Sequence, residues 1–71
     1  MRDERIAEAI EELKSTPHVS VETAGRALDV GRGLAYRMAH NGELPVIHLG
    51  RKKLRVLSRP LLERLGLKVA S

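Results

Sequence analysis

The sequence predicts a mainly α domain with a small β-hairpin, headed by an amphipathic helix. Three observations predict it. Apolar residues recur at helical spacing through residues 3–15, 21–28 and 32–40. The breaks between these stretches are short and rich in turn residues: Thr16-Pro17, Asp29-Val30-Gly31, then Asn41-Gly42 and Pro45. Two brief runs of alternating apolar and polar residues follow, one on each side of Gly50. With 71 residues and no internal repeat, residues 1–71 form one small domain: an N-terminal helix over 1–17, a module over 18–66 and a tail over 67–71. Tyr36 is the only aromatic residue, so the core is built from Leu, Val, Ile, Ala and Met.

In the first helix, from about Asp3 to Ser15, Ile6, Ala9, Ile10 and Leu13 make an apolar stripe. Glu4, Glu8, Glu11 and Glu12 fall mostly on the other side. Thr16 precedes Pro17 and is pushed toward extended backbone, which ends the helix. Val19-Ser20-Val21 opens the second helix, with Ser20 as its N-cap and Val19 packing on Ala24 to fix the angle of the chain. Thr23 stands where a reciprocal Glu or Gln would complete a capping box. Val21, Ala24 and Leu28 form the buried stripe, and the Ala24-Gly25 pair allows another helix to come close.

Asp29-Val30-Gly31 has the length of a helix-turn-helix corner, with Val30 turned inward and Gly31 capping the next helix. In that third helix Leu34 or Ala35, then Met38 and Ala39, face the core. Arg32, Gly33, Tyr36, Arg37 and His40 are left on the open side. Gly33 weakens the first turn by up to about 1 kcal/mol relative to Ala, which suggests packing or close approach at that position. Asn41-Gly42 supplies a left-handed stop, and Pro45 prevents continuation.

Val46–Leu49 and Leu54–Leu57 flank the basic loop Gly50-Arg51-Lys52-Lys53 as a hairpin. The alternation assigns Ile47, Leu49, Leu54 and Val56 to the helices and turns His48 and Arg55 outward. Ser58 caps a last short helix with Pro60 in its first turn, where a missing amide is harmless. Leu61, Leu62 and Leu65 close the core, and Gly66 ends the helix.

Charge is uneven along the chain. Residues 1–17 carry three Lys or Arg against five Asp or Glu, a net of −2, and residues 18–71 carry ten against four, a net of +6. Positive charge therefore gathers on the part that holds the corner and the hairpin, as a phosphate-binding surface requires. Cysteine is absent, and His18, His40 and His48 are too scattered for a zinc pattern, so neither metal nor cofactor is expected. His18 reads as a linker residue and His48 as an outward strand residue. No apolar run could cross a bilayer and the acidic start is unlike a signal peptide, which predicts a cytoplasmic protein that avoids membranes. Every serine has a capping or terminal role and no carboxylate pair sits in a candidate pocket, so neither enzymatic activity nor a small-molecule ligand is expected.

A helix offering Arg32, Tyr36, Arg37 and His40, with Gly33 between them, has the groups that read base edges and phosphates in a major groove. Tyr36 has a second reading, as a partly buried aromatic with its hydroxyl at the rim. Arg51, Lys52, Lys53 and Arg55 place fixed charge on a narrow projection suited to the DNA backbone or the adjacent minor groove. Helix-turn-helix and hairpin together give a winged helix-turn-helix, with double-stranded DNA as partner. The acidic first helix reads as a lid over the core, or alternatively as a surface for a neighbouring copy.

The segments VSVETAGRALDV, GLAYRMAHNGELPV and HLGRKKLRV resemble the excisionase-type DNA-binding domains, small winged helices similar to the MerR-like DNA-binding half. The most specific pieces are Tyr36-Arg37, Gly42-Glu43-Leu44-Pro45 and Gly50-Arg51, and the resemblance spans Val19 to Leu65. It implies a recognition helix over Arg32 to His40, a wing at Arg51 to Lys53, and a DNA contact at the helix start, Ser20. It further implies a recombination directionality factor of a phage or mobile element, acting in the bacterial cytoplasm or nucleoid. Such factors bind side by side, bend attachment-site DNA and direct an integrase toward excision. The alternatives are a small phage or plasmid transcriptional regulator with the same fold, or an interaction adaptor. The chain departs from the pattern at Gly31 and Gly33, where Ser or Thr is usual, and at Leu57, where Pro is frequent.

Overall fold

A computed structural model describes residues 2–51 and 53–66, apart from the side chains of Arg2 and Asp3. Four helices, α1 (Arg2–Ser15), α2 (Val21–Leu28), α3 (Arg32–His40) and α4 (Ser58–Arg64), accompany strands β1 (His18–Ser20), β2 (Val46–Leu49) and β3 (Lys53–Leu57). The strands form one antiparallel sheet in the order β1-β3-β2. The described chain is thus mainly helical, and no helix in it is long and apolar enough to cross a membrane.

The amphipathic pattern of α1 buries Ala9 and Leu13 and half-buries Ile10, while Glu4, Glu8, Glu11 and Glu12 stay exposed. Ile6 lies at the margin, outside the core cluster. α1 packs on α2 and α4. Ser20 caps α2 as its sequence predicts: its extended backbone positions the hydroxyl oxygen to accept from the Thr23 amide at 3.1 Å. The same hydroxyl donates to Thr23 Oγ1 at 3.0 Å, so Thr23 serves the cap in place of the absent acid. Val19, Val21 and Ala24 are fully buried in one core with Leu61, Leu62 and Val56.

The corner between α2 and α3 turns on Asp29, in left-handed backbone with φ 58°. The Val30 amide returns to the Gly25 carbonyl at 2.9 Å and Val30 packs against the core. Gly25 is where the two helices meet: a Cβ built there would lie 2.8 Å from the Ala35 Cβ. Gly42, with φ 77°, ends α3; its amide bonds Ala39 O and the Glu43 amide bonds Met38 O at 2.9 Å, the paired bonds that stop a helix on a left-handed glycine.

Three expectations are corrected. His18 is not a linker residue but begins strand β1, where it pairs with Leu57 of β3, and Val19 beside it pairs with Val56. A three-residue strand carries too little periodicity to stand out from the cap that follows it. The hairpin register pairs Val46 with Val56, Ile47 with Arg55, His48 with Leu54 and Leu49 with Lys53. Directly paired residues share a face, so Val46 joins Leu54 and Val56 on the helix side, and Ile47 and Leu49 lie on the outer face with Arg55 and Lys53. Each strand alternates as expected, but the phase of β2 is shifted by one residue, which exchanges its faces. His48 is exposed, as expected, although it shares a face with Leu54. Finally, α4 begins at Ser58 itself: Leu57 is the N-cap residue, without a side-chain cap bond. The Ser58 amide donates to Pro17 O at 3.0 Å, and its buried hydroxyl has no hydrogen-bond partner among the described residues.

Candidate functional site

Helical geometry fixes what α3 presents. Ala35 and Ala39, one turn apart, face the core, and Ala35 sits against α2 at Gly25, where a larger contact would not fit. Opposite them stand Gly33, Leu34, Arg37 and His40, all exposed, with Met38 and Tyr36 half-buried at the flanks. Of the two candidates for the first inward position, Ala35 is buried and Leu34 points out, 45% exposed. Tyr36 lies half-buried against the core, as its second reading has it.

Glu22, in the first turn of α2, ties the two helices of the corner together. Arg32 Nε lies 3.6 Å from its carboxylate, and the Arg32 guanidinium stands 5.8 Å from the centre of the Tyr36 ring. A hydrogen bond from its own backbone and one from the Tyr36 hydroxyl, with the charges of Arg32 and Arg26 behind them, hold the Glu22 carboxyl below its ordinary value. Two of the expected DNA-contacting groups, Arg32 and Tyr36, are therefore already engaged within the chain. The side chains of Arg37 and His40 make no hydrogen bond or ion pair to another described residue, and they remain open to a partner.

The other expected contacts divide in the same way. The Ser20 hydroxyl is committed to the cap, so the structure gives it a role in ordering the start of α2. Arg55 is half-buried on the central strand, and its Nε donates to Nδ1 of His18 at 3.1 Å. That bond needs a neutral imidazole with its acceptor nitrogen turned to Arg55. Arg51 and Lys53 are exposed at the hairpin end, Lys53 as the first residue of β3 and Arg51 in the turn after Gly50, whose φ is 75°. Neither has a side-chain bond to another described residue, and Lys52 lies outside the described residues.

Glu22, His18 and Leu34 are the site residues that the sequence did not single out. A carboxylate in the first turn of a helix is an ordinary helix-dipole feature, and nothing local links Glu22 to Arg32, ten positions away. His18 and Arg55 are 37 positions apart and become neighbours only through the β1–β3 pairing. Leu34 was half legible, since helical phase left it level with Ala35. No group of three or more potential metal-ligating side chains occurs among the described residues. Compared with known proteins, the chain matches no family model, no curated protein and no solved structure.

Proposed function

We propose that this chain is a sequence-specific, non-enzymatic DNA-binding protein of the winged helix-turn-helix type, with α3 in the major groove and the β2–β3 hairpin as a wing on the flanking backbone. The strongest support is the open face of α3: Arg37 and His40 are exposed and uncommitted on a helix whose opposite side is locked to α2. Arg37 has the planar fork that pairs with guanine O6 and N7. Arg51 and Lys53 bring charge from a second element, as needed to set the register of a protein on a duplex. The net charge of +6 over residues 18–71 agrees with a polyanionic partner.

Within this reading, the role is that of an excisionase-type recombination directionality factor, which binds side by side on attachment-site DNA, bends it and acts with an integrase. The support is the resemblance over Val19 to Leu65, together with the exposed acids of α1, which complement the basic face of a neighbouring copy. Binding of the full chain to duplex DNA tests the first level. Affinity should fall steeply with salt, and Arg37→Ala should weaken the preferred sequence by about 1–3 kcal/mol while sparing random DNA. Unchanged binding of this variant, or no binding at low salt, removes the reading. A footprint tests the second level: tandem protected repeats on bent DNA fit a directionality factor, and a single palindrome fits a dimeric regulator.

A further inference from the structure

We infer that Leu34 is a specificity-determining residue that reads a thymine through its 5-methyl group, and that Gly33 lets the first turn of α3 come close enough for it to do so. The inference rests on the DNA-binding reading above and adds an apolar contact to a site so far described by its charged and polar groups.

Two independent observations meet at this turn. Leu34 is one of only two large hydrophobic side chains that stand exposed among the described residues, and it lies on the open face of α3, one turn from Arg37. A lone exposed leucine is commonplace on a protein surface. This one, however, sits beside Arg37 on the open face, on a helix that has a buried place for alanine next to it. Leucine is large enough to be buried wherever the fold has room, and here the crossing at Gly25 leaves room only for Ala35.

Gly33 supplies the second observation. A glycine inside a helix costs roughly 1 kcal/mol relative to alanine and is normally repaid by backbone conformation or by a close neighbour. Gly33 has neither: its φ is not in the left-handed region, and a Cβ built on it would meet nothing within 4 Å. Gly25 in the same corner shows the contrast, since its missing Cβ is required by Ala35 at 2.8 Å. The fold leaves the space above Gly33 open, so the bare backbone there is suited to something that approaches from outside. In a major groove, that is the floor formed by the base edges. The thymine methyl is the one apolar group presented there, and a leucine seated beside a bare backbone turn is a fitting partner for it.

The test uses the full chain and the tightest-binding duplex selected from a pool of randomised 20-base-pair duplexes. Each invariant thymine of that duplex is replaced in turn by deoxyuridine, which removes only the methyl group. The wild-type chain should bind about threefold to tenfold more weakly when one of them is replaced. Leu34→Ala should bind the thymine duplex that much more weakly and be indifferent to the replacement. Gly33→Ala should shift two readouts in opposite directions, raising the midpoint of thermal unfolding by a few degrees while weakening binding to the same duplex. A wild-type chain indifferent to every replacement, a selected duplex without an invariant thymine, or a Leu34→Ala variant as methyl-sensitive as wild type each overturns the inference while leaving DNA binding standing. Failure to enrich any duplex overturns the DNA reading itself and this inference with it.

Discussion

The α2–α3 corner and the β2–β3 hairpin both carry exposed cations without side-chain partners among the described residues, Arg37 in the first and Arg51 and Lys53 in the second, but they differ in what lies beneath and beside them. In the corner, Arg32 is paired with Glu22 and stands over Tyr36, and the helices beneath are in contact through Gly25 and Ala35. In the hairpin, Arg51 and Lys53 project without partners among the described residues, from a ribbon held by backbone pairing. Under the proposed DNA-binding function, the contrast would separate two tasks. Reading bases requires groups held in a fixed geometry, and a packed corner would give the backbone beneath them that rigidity. Following a phosphate backbone requires only charge of the right sign within reach, which the hairpin would supply.

The comparison breaks most visibly at Gly25. Gly25→Val forces the helices apart, and urea unfolding followed by circular dichroism should show a loss of about 1–3 kcal/mol or more, accompanied by loss of sequence-selective binding. The hairpin should behave differently: the double variant Arg51→Ala/Lys53→Ala should unfold as wild type does, while the slope of log affinity against log salt becomes shallower by about 0.9 for each phosphate that is no longer neutralised. Two serines sharpen the contrast further. Ser20→Ala, at the start of the corner, should destabilise by about 0.5–2 kcal/mol because it removes a working cap. Ser58→Ala, just after the hairpin, should be neutral or stabilising, because it removes a buried hydroxyl that has no partner among the described residues. A loss at Ser58 equal to that at Ser20 would show that its hydroxyl does cap α4 after all.

The smallest effects concern Glu22. Glu22→Gln should change stability by less than about 1 kcal/mol, the usual worth of an exposed pair. It should tighten binding to all duplexes alike, since it removes a negative charge beside α3 and releases Arg32. Because folding lowers the Glu22 pKa, its stabilising contribution is complete above the unfolded-state value of about 4.3 and is lost as pH falls through the lower folded value. Tyr36, the only aromatic residue and one of the groups that lower the Glu22 pKa, serves as the probe of the step. Its fluorescence should hold constant through neutral pH and change with a midpoint below that of an ordinary glutamate. The Glu22→Gln variant should lack that step.

How much of this was legible in the sequence followed the range of the interactions involved. The helices, their stops at Pro17, Asp29 and Gly42, and the cap at Ser20 are decided within four residues of themselves, and the structure places them as the pattern does. The small-residue contact at Gly25 was legible because tight crossings demand it. β1, the face carried by Ile47 and Leu49, and the partners of Arg55 and Arg32 were not legible. Each depends on a pairing between distant segments. Alternation within a strand gives its period, but the phase is set only when the partner strand is in place. Ser58 failed for a related reason: serine before a helix suggests a cap, but the neighbouring β1–β3 ladder claims the Ser58 amide and draws the residue inside the helix.

The order β1-β3-β2 has a consequence for how the molecule is made. The central strand is the last of the three to leave the ribosome, and both outer strands wait for it: β1 across more than thirty residues, β2 across three. Until β3 arrives, α1, α2 and α3 have one another to pack on, whereas β1 and β2 lack the strand they pair with and α4 is still to follow. Vectorial synthesis therefore favours a nascent helical cluster of α1, α2 and α3, built from short-range contacts, onto which the sheet is added in a single late step.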